Sequence, residues 1–304
     1  SVYLLCTEKE GRKIIFGSPI TKLIALYIGV QLVWGLAAYM THHVNAKALG
    51  YGLIVNVRFL LFFLAAWRAA LHVPALHARW PKLVFWPAAV VAVFGLLQYF
   101  VLPYDFMKHF GYGPNTIYPY ETINHNVNYI RIMSTLRGAN PLGAYMVVVL
   151  GVLVAFYLRA KEKRLWQILL GIGSVLALAL SFSRSAWIGA VLAGLVLLWL
   201  WLKTERARRV LLVGVIVCGL AAIGVVLAFR NNTAFQNAFF HTSDNSTAAV
   251  SSNQGHESAL KSGVRDVLHE PLGRGPGTAG PASVYNDHPA RVAENYFVQV
   301  GQET

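Results

Sequence analysis

The chain has 304 residues, of which 56% are apolar and 13% charged; with roughly half the charge content of an average soluble domain and a mean hydropathy of +0.50, an ordinary water-soluble fold is excluded and a bilayer is the expected solvent. A formal charge of +13 would suggest nucleic acid in a soluble protein, but here the basic residues sit between apolar runs and no nucleic-acid partner is expected. The two cysteines, Cys6 and Cys218, lie far apart, the second inside an apolar run, which excludes a disulfide framework and a cysteine metal site.

The chain opens on Ser1 without the basic-then-apolar pattern of a signal peptide, and its pattern breaks off in mid-motif at Thr304, so it reads as a fragment with at least one further pass to follow. Apolar stretches of about 17 to 25 residues, the length that crosses a hydrocarbon core, fall at residues 19–40, 49–71, 83–101, 141–158, 165–181, 186–202 and 210–229. Backbone polar groups in lipid must be satisfied within the segment, and no barrel-type alternation is present, so each stretch is predicted to be a helix. The fold class is therefore an all-α polytopic integral membrane protein with about seven spanning helices. Residues 1–229 form the bundle, with an external loop at 104–140; residues 230–293 form a large external loop with short helices, and 294–304 begin a helix returning to the membrane.

Orientation follows from lysine and arginine. The alternate short segments around Lys9 to Lys22, Arg68 to Lys82, Arg159 to Arg164 and Lys203 to Arg209 carry fifteen, against ten in the much longer opposite set. The short basic loops are thus predicted to be cytoplasmic, and the 104–140 loop, Lys47, Arg184 and the tail from Arg230 to share the other face.

In that tail, residues 230–255 are rich in Asn, Ser and Thr and read as a loop. Leu260, Val264, Val267 and Leu268 recur at helical spacing, predicting a short amphipathic helix over 256–268 that Pro271 closes. PLGRGPGTAGP, residues 271–281, predicts a tight turn with exposed amides able to receive an anion. Pro289 is suited to a first helical turn, and Tyr296, Phe297 and Val300 to a helix heading back to the membrane.

Candidate chemistry rests on isolated polar groups. Arg184, in SFSRSAW, joins two passes with almost no linker, and a charge at that depth faces a polar cavity or snorkels to headgroups. Arg131 and Arg137 flank the start of the fourth pass, where Asn140 and Pro141 suit a cap and first residue; such cations can clamp a phosphate. Arg58 lies about 12 Å into the second pass at 1.5 Å per residue, with no Asp or Glu in any spanning segment to pair it. His256, His269, Asp287, His288 and Glu294 are the candidate proton acceptors or polar contacts of the tail. No His, Asp or Glu pair has a familiar ligand spacing, so no metal or other cofactor is expected.

Taken together, RIMSTLRGANPLGAYM (131–146), SFSRSAWIGA (181–190), HESALKSGVRDVLHEPLGRGPGTAG (256–280) and ENYFVQVGQET (294–304) resemble, in order, the O-antigen ligase and Wzy-type O-antigen polymerase superfamily of bacterial envelope glycan enzymes. The resemblance implies an inner-membrane glycosyltransferase, without metal, that takes a glycan from an undecaprenyl-diphosphate-linked donor and joins it to an acceptor hydroxyl, generally with inversion. Its partners would be the bilayer, that donor and a glycan or lipid acceptor, with the active site on the periplasmic or extracellular face. Arg184 and Arg137 match the family's diphosphate-binding arginines. Family ligases commonly carry His followed by Asn, Ser or Gln where this chain has Glu294 and Asn295; Glu294 is then the candidate base, and a polymerase-like member is favoured over a lipid A core ligase. A different class of function, a transporter or channel for an anionic solute or lipid lined by Arg58, Arg137 and Arg184, would call for polar groups through the full bilayer depth. A membrane anchor presenting a binding loop would leave Arg58 and Arg184 unmotivated.

Overall fold

The computed structural model describes residues 17–113, 117–123, 126–160, 162–232, 235, 252–291 and 295–304. Each expected pass is a helix: α1 (Pro19–Met40), α2 (Ala46–His72), α3 (Pro74–Phe100), α4 (Ala139–Arg159), α5 (Leu165–Leu180), α6 (Arg184–Trp201) and α7 (Glu205–Phe229). All but α5 are long and apolar enough to cross a bilayer. α5 has 16 residues, about 24 Å at 1.5 Å per residue, short of a core of about 30 Å. The protein is an all-α polytopic membrane protein. Its helices turn apolar side chains outward, with Leu23, Leu26, Phe59 and Phe62 exposed and no buried residue on α7; lipid, as apolar as these side chains, removes the penalty that water would impose.

The 104–140 segment is not all loop. It contains a short 3-10 turn, Phe106–Phe110, and a hairpin of β1 (Glu121–Ile123) and β2 (Asn126–Arg131), antiparallel, with Glu121 opposite Arg131. The tail supplies α8 (Ser252–His269), a 3-10 turn (Gly280–Tyr285) and α9 (Tyr296–Glu303). Contacts group the chain into two compact units, Ser1–Trp80 with Asn253–Thr304, and Pro81–Ser252.

In the first unit α1 and α2 form a hairpin, and Asn45 caps α2 by accepting from the Ala48 N–H at 2.8 Å. The tail packs on this turn. Asn45 Nδ2 donates to the Tyr285 carbonyl at 2.8 Å, Asn286 Nδ2 donates to the His43 carbonyl at 3.0 Å, and the Lys47 ammonium lies 4.6 Å from the Tyr285 ring centroid. Lys47 and the tail, assigned to one face by charge, thus meet at one end of the hairpin.

Two local expectations for the tail are corrected. Residues 275–280 are buried, not exposed: the loop wedges against both helices, Gly275 over Ala38, and Gly277 against Ala48 and Gly52. Its amides are taken by the chain itself, Gly275 N–H by the Glu303 carbonyl at 2.8 Å and Gly280 N–H by the Arg291 carbonyl at 2.7 Å, because a buried backbone donor must be paired. Pro289 does not open a helix; α9 starts at Tyr296, capped by Asn295 Oδ1, which accepts from the Phe297 and Val298 N–H groups. The buried face of α9 is polar, Gln299, Gln302 and Glu303, whereas Phe297 is 86% exposed, the reverse of a water-soluble amphipathic helix.

The second unit is organised by α4, whose Ala139, Leu142 and Met146 pack with Ala177 and Leu178 of α5, Ala186 of α6 and Val91 of α3. Farther along, Val149 and Leu153 meet Phe85, Ala88 and Leu170.

Candidate functional site

The amino ends of α4 and α6 come together in the second unit, and a glycine permits it. A β-carbon on Gly143 would stand 2.7 Å from Ala186 Cβ and 2.9 Å from Ser183 Cβ, closer than packed carbons allow. Between α5 and α6 the chain reverses within Ser181–Ser183, with Phe182 left-handed at φ 48°, a conformation costing roughly 1–2 kcal/mol. The surrounding bonds hold it there: Ser181 Oγ donates to the Leu178 carbonyl at 2.7 Å, as does Trp187 Nε1 at 3.0 Å. Arg184 is the first residue of α6.

The segment leading into α4 is pinned from below. Ser134, left-handed at φ 53°, donates through Oγ to the Val91 carbonyl at 2.6 Å, and Gln98 Oε1 accepts from the Met133 and Ser134 N–H groups at 3.2 and 2.9 Å. The Ile132 N–H donates to the Leu180 carbonyl at 3.2 Å. Arg131 and Arg137 therefore leave opposite ends of a fixed loop.

Arg131 is 13% exposed and lies 3.4 Å from Glu121 Oε2. Its Nε donates to the Ser181 carbonyl at 3.0 Å and its Nη2 to Asn140 Oδ1 at 2.6 Å, so one guanidinium ties the hairpin, the α5–α6 turn and α4. Desolvation pulls its pKa below the usual guanidinium value, Glu121 opposes that, and the nearby Arg184 cation adds to it; the group stays charged. Asn140 was expected as the cap of α4 and Pro141 as its first residue, but the helix starts two residues earlier, at Ala139 with Gly138 before it, so the Asn140 side chain serves Arg131. Arg137 is exposed and makes no ion pair among the described residues.

Arg131 and Arg184 thus lie close enough to repel one another at one end of the α4–α6 pair, Glu121 pairs with Arg131, and Arg137 leaves the same loop just before α4. Two helix amino termini add partial positive charge there. Such an arrangement can receive a phosphate or diphosphate.

The remaining sequence candidates belong to the first unit. Arg58 is exposed on α2, its guanidinium 4.8 Å from the Phe59 ring centroid; it does not enter the buried interior expected for it, because the inward position of that turn is Asn56. His256 is exposed on α8. His288 is exposed, with Nε2 3.2 Å from the His42 carbonyl. Glu294 lies outside the described residues.

Sequence reasoning missed two groups. Glu121 was hidden because the hairpin that sets it opposite Arg131 was read as loop. Glu303 was passed over although Gln31 and Asn56, lone polar residues in apolar passes, were a signal for a polar partner: Asn56 Nδ2 donates to Glu303 Oε2 at 2.8 Å and to Gln31 Oε1 at 3.1 Å. No group of three or more His, Cys, Asp or Glu able to hold a metal exists among the described residues.

The fold and this site define a polytopic membrane protein with a cluster of cations at the amino ends of two apolar helices. Residues 169–304 match the family model described as O-antigen ligase. The match runs from within α5 through α6, α7 and the tail, and shows that this part of the chain is similar to that family. Comparison with curated proteins and with solved structures gives no match.

Proposed function

We propose that the protein is a glycosyltransferase of the bacterial cytoplasmic membrane, moving a glycan from an undecaprenyl-diphosphate-linked donor to an acceptor hydroxyl on the periplasmic or extracellular face. The observation that carries this reading is the excess of arginine over carboxylate at the joined amino ends of α4 and α6, held by buried hydrogen bonds. In the reaction the acceptor oxygen attacks the anomeric carbon, the carbon–oxygen bond to the diphosphate breaks, and the lipid diphosphate leaves with its charge. Arg184 and Arg137 hold that leaving group and stabilise the charge developing on it; Arg131 fixes the turn from which Arg184 emerges and adds a cation. The attacking hydroxyl must lose a proton, and the family resemblance assigns that base to Glu294. Inversion at the anomeric carbon and independence of metal belong to the same reading. Transport is disfavoured because these cations gather at one helix end instead of lining a path.

The test is transfer from purified lipid diphosphate donor by the full chain in nanodiscs. Arg184→Ala and Arg137→Ala should each lower turnover on the order of 100- to 1,000-fold, the effect of deleting one charge-stabilising donor, with an unchanged melting profile. Wild-type turnover in both variants would reject the assignment.

A further inference from the structure

We infer that Glu303 and Asn56 form a latch within the apolar part of the first unit that positions the glycine loop and α9 for glycan transfer; its catalytic consequence rests on the transferase reading above. Asn56 lies ten residues into α2, about 15 Å from its start at 1.5 Å per residue, and Glu303 is fully buried against it. A carboxylate in such surroundings is costly and persists only when its oxygens are bonded. The donors here are neutral: Asn56 Nδ2 at 2.8 Å, the Gly277 N–H at 3.0 Å, and the Ala279 N–H and Gln299 side chain.

The geometry makes Glu303 more than a filled site. Its carbonyl accepts from the Gly275 N–H at 2.8 Å while its carboxylate accepts from Gly277, so one residue grips the loop on both sides of the buried Pro276. A β-carbon on Gly52 would stand 2.5 Å from Gly277 N, which shows how closely the gripped loop lies on α2. Glu303 ends α9, and Asn295, the cap of α9, follows Glu294 directly in the chain. Displacing Glu303 therefore displaces the loop and the helix that chain continuity ties to the candidate base. Glu303 acts as a positioning residue.

The pairing is specific in sense. In Glu303→Gln the amide NH2 meets Asn56 Nδ2, donor against donor, unless the Asn56 and Gln31 amides both turn over. In Asn56→Asp two carboxylates face each other. The reciprocal exchange Asn56→Asp/Glu303→Gln restores a donor facing an acceptor, and Gln31 Nε2, which has no hydrogen-bond partner among the described residues, becomes available to the new aspartate.

With full chain in nanodiscs and purified lipid diphosphate donor, each single variant should lose on the order of 100-fold in turnover, the effect of misplacing reacting groups by about 1 Å, while donor affinity is kept. The double variant should recover at least tenfold over either single, roughly the scale expected for contacting residues that couple. Wild-type turnover in Glu303→Gln, or a double variant no better than the worse single, overturns the latch. The melting midpoints of the same proteins separate the two readings. Non-additive midpoints with no transfer by wild type sink the transferase and leave the latch standing; additive midpoints sink the latch whatever the turnover.

Discussion

Two glycine-assisted, polar regions of this membrane protein treat charge in opposite ways. At the α4–α6 ends, arginines outnumber the carboxylate beside them, and the backbone there is bent into left-handed turns at Ser134 and Phe182. In the glycine loop, the buried amides that a sequence reader would offer to an anion are already bonded, two of them to Glu303. In the proposed function the first region receives an anion from outside the chain, whereas the second supplies its own carboxylate. Glycine content alone therefore does not distinguish a ligand cradle from a packing device; in the loop, the partners its amides find within the chain mark it as the latter.

The comparison breaks most readily at the glycines. Gly277 is left-handed at φ 91°, and a β-carbon there would collide with the Ala48 carbonyl, which is helix backbone and cannot yield. Gly277→Ala should destabilise the first unit by about 3 kcal/mol, the upper range for overpacking, seen as a lower melting midpoint. Gly143→Ala meets side chains of Ser183 and Ala186 instead and should cost about 1–2 kcal/mol, but it should also reduce transfer, since it pushes the Arg184 turn away from α4. Equal melting losses for the two would mean that the loop is less tightly gripped than its bonding implies.

The passes were legible because lipid imposes a length and an apolar composition on each of them, and those are properties of single segments. Arg184 and Arg131 could be picked out for the same reason, as charges where apolar residues are the rule. What could not be read depended on pairing between distant residues. Glu121 lies ten positions before Arg131, but only the hairpin makes them neighbours. A helix through Tyr296, Phe297 and Val300 was legible, but not that its polar side chains Gln299, Gln302 and Glu303 would turn inward, as happens where hydrocarbon replaces water. Arg58 illustrates the converse: its place within the second pass was visible in the sequence, but which way it faces follows from Asn56 finding Glu303, 247 residues away.

A smaller effect sharpens the role of Arg131. Lysine in its place keeps the positive charge beside Arg184 but cannot reach Glu121, Asn140 and the Ser181 carbonyl at once, because it lacks the planar fork. Arg131→Lys should therefore lower turnover about tenfold, equivalent to about 1.4 kcal/mol, through a misdirected Arg184. Arg131→Ala should do worse, since it also leaves Glu121 unpaired. If lysine restores full turnover, Arg131 contributes charge alone.

The smallest effect concerns the charged clasp at the end of α8. Glu270 accepts from Arg274 Nη2 and from Arg291 Nη1, the latter at 2.9 Å, and these hydrogen bonds from the two guanidinium groups hold its carboxyl at about 2, well below the ordinary glutamate range. A depressed folded pKa means that the unfolded chain takes up a proton first as acid is added. The stabilisation is thus complete above about pH 4.5 and disappears as the pH falls toward 2. Because the groups are partly solvated, the contribution is about 1 kcal/mol or less. Glu270→Gln should lower the melting midpoint slightly at pH 7 and bring no further difference from wild type near pH 2. Salt at 1 M, where the screening length is about 3 Å, should shrink the pH 7 difference in this solvated clasp while leaving the Asn56–Glu303 coupling intact, because no mobile ion reaches a carboxylate packed among helices. A salt-sensitive coupling at Glu303 would place it in water and erase the contrast between the two regions.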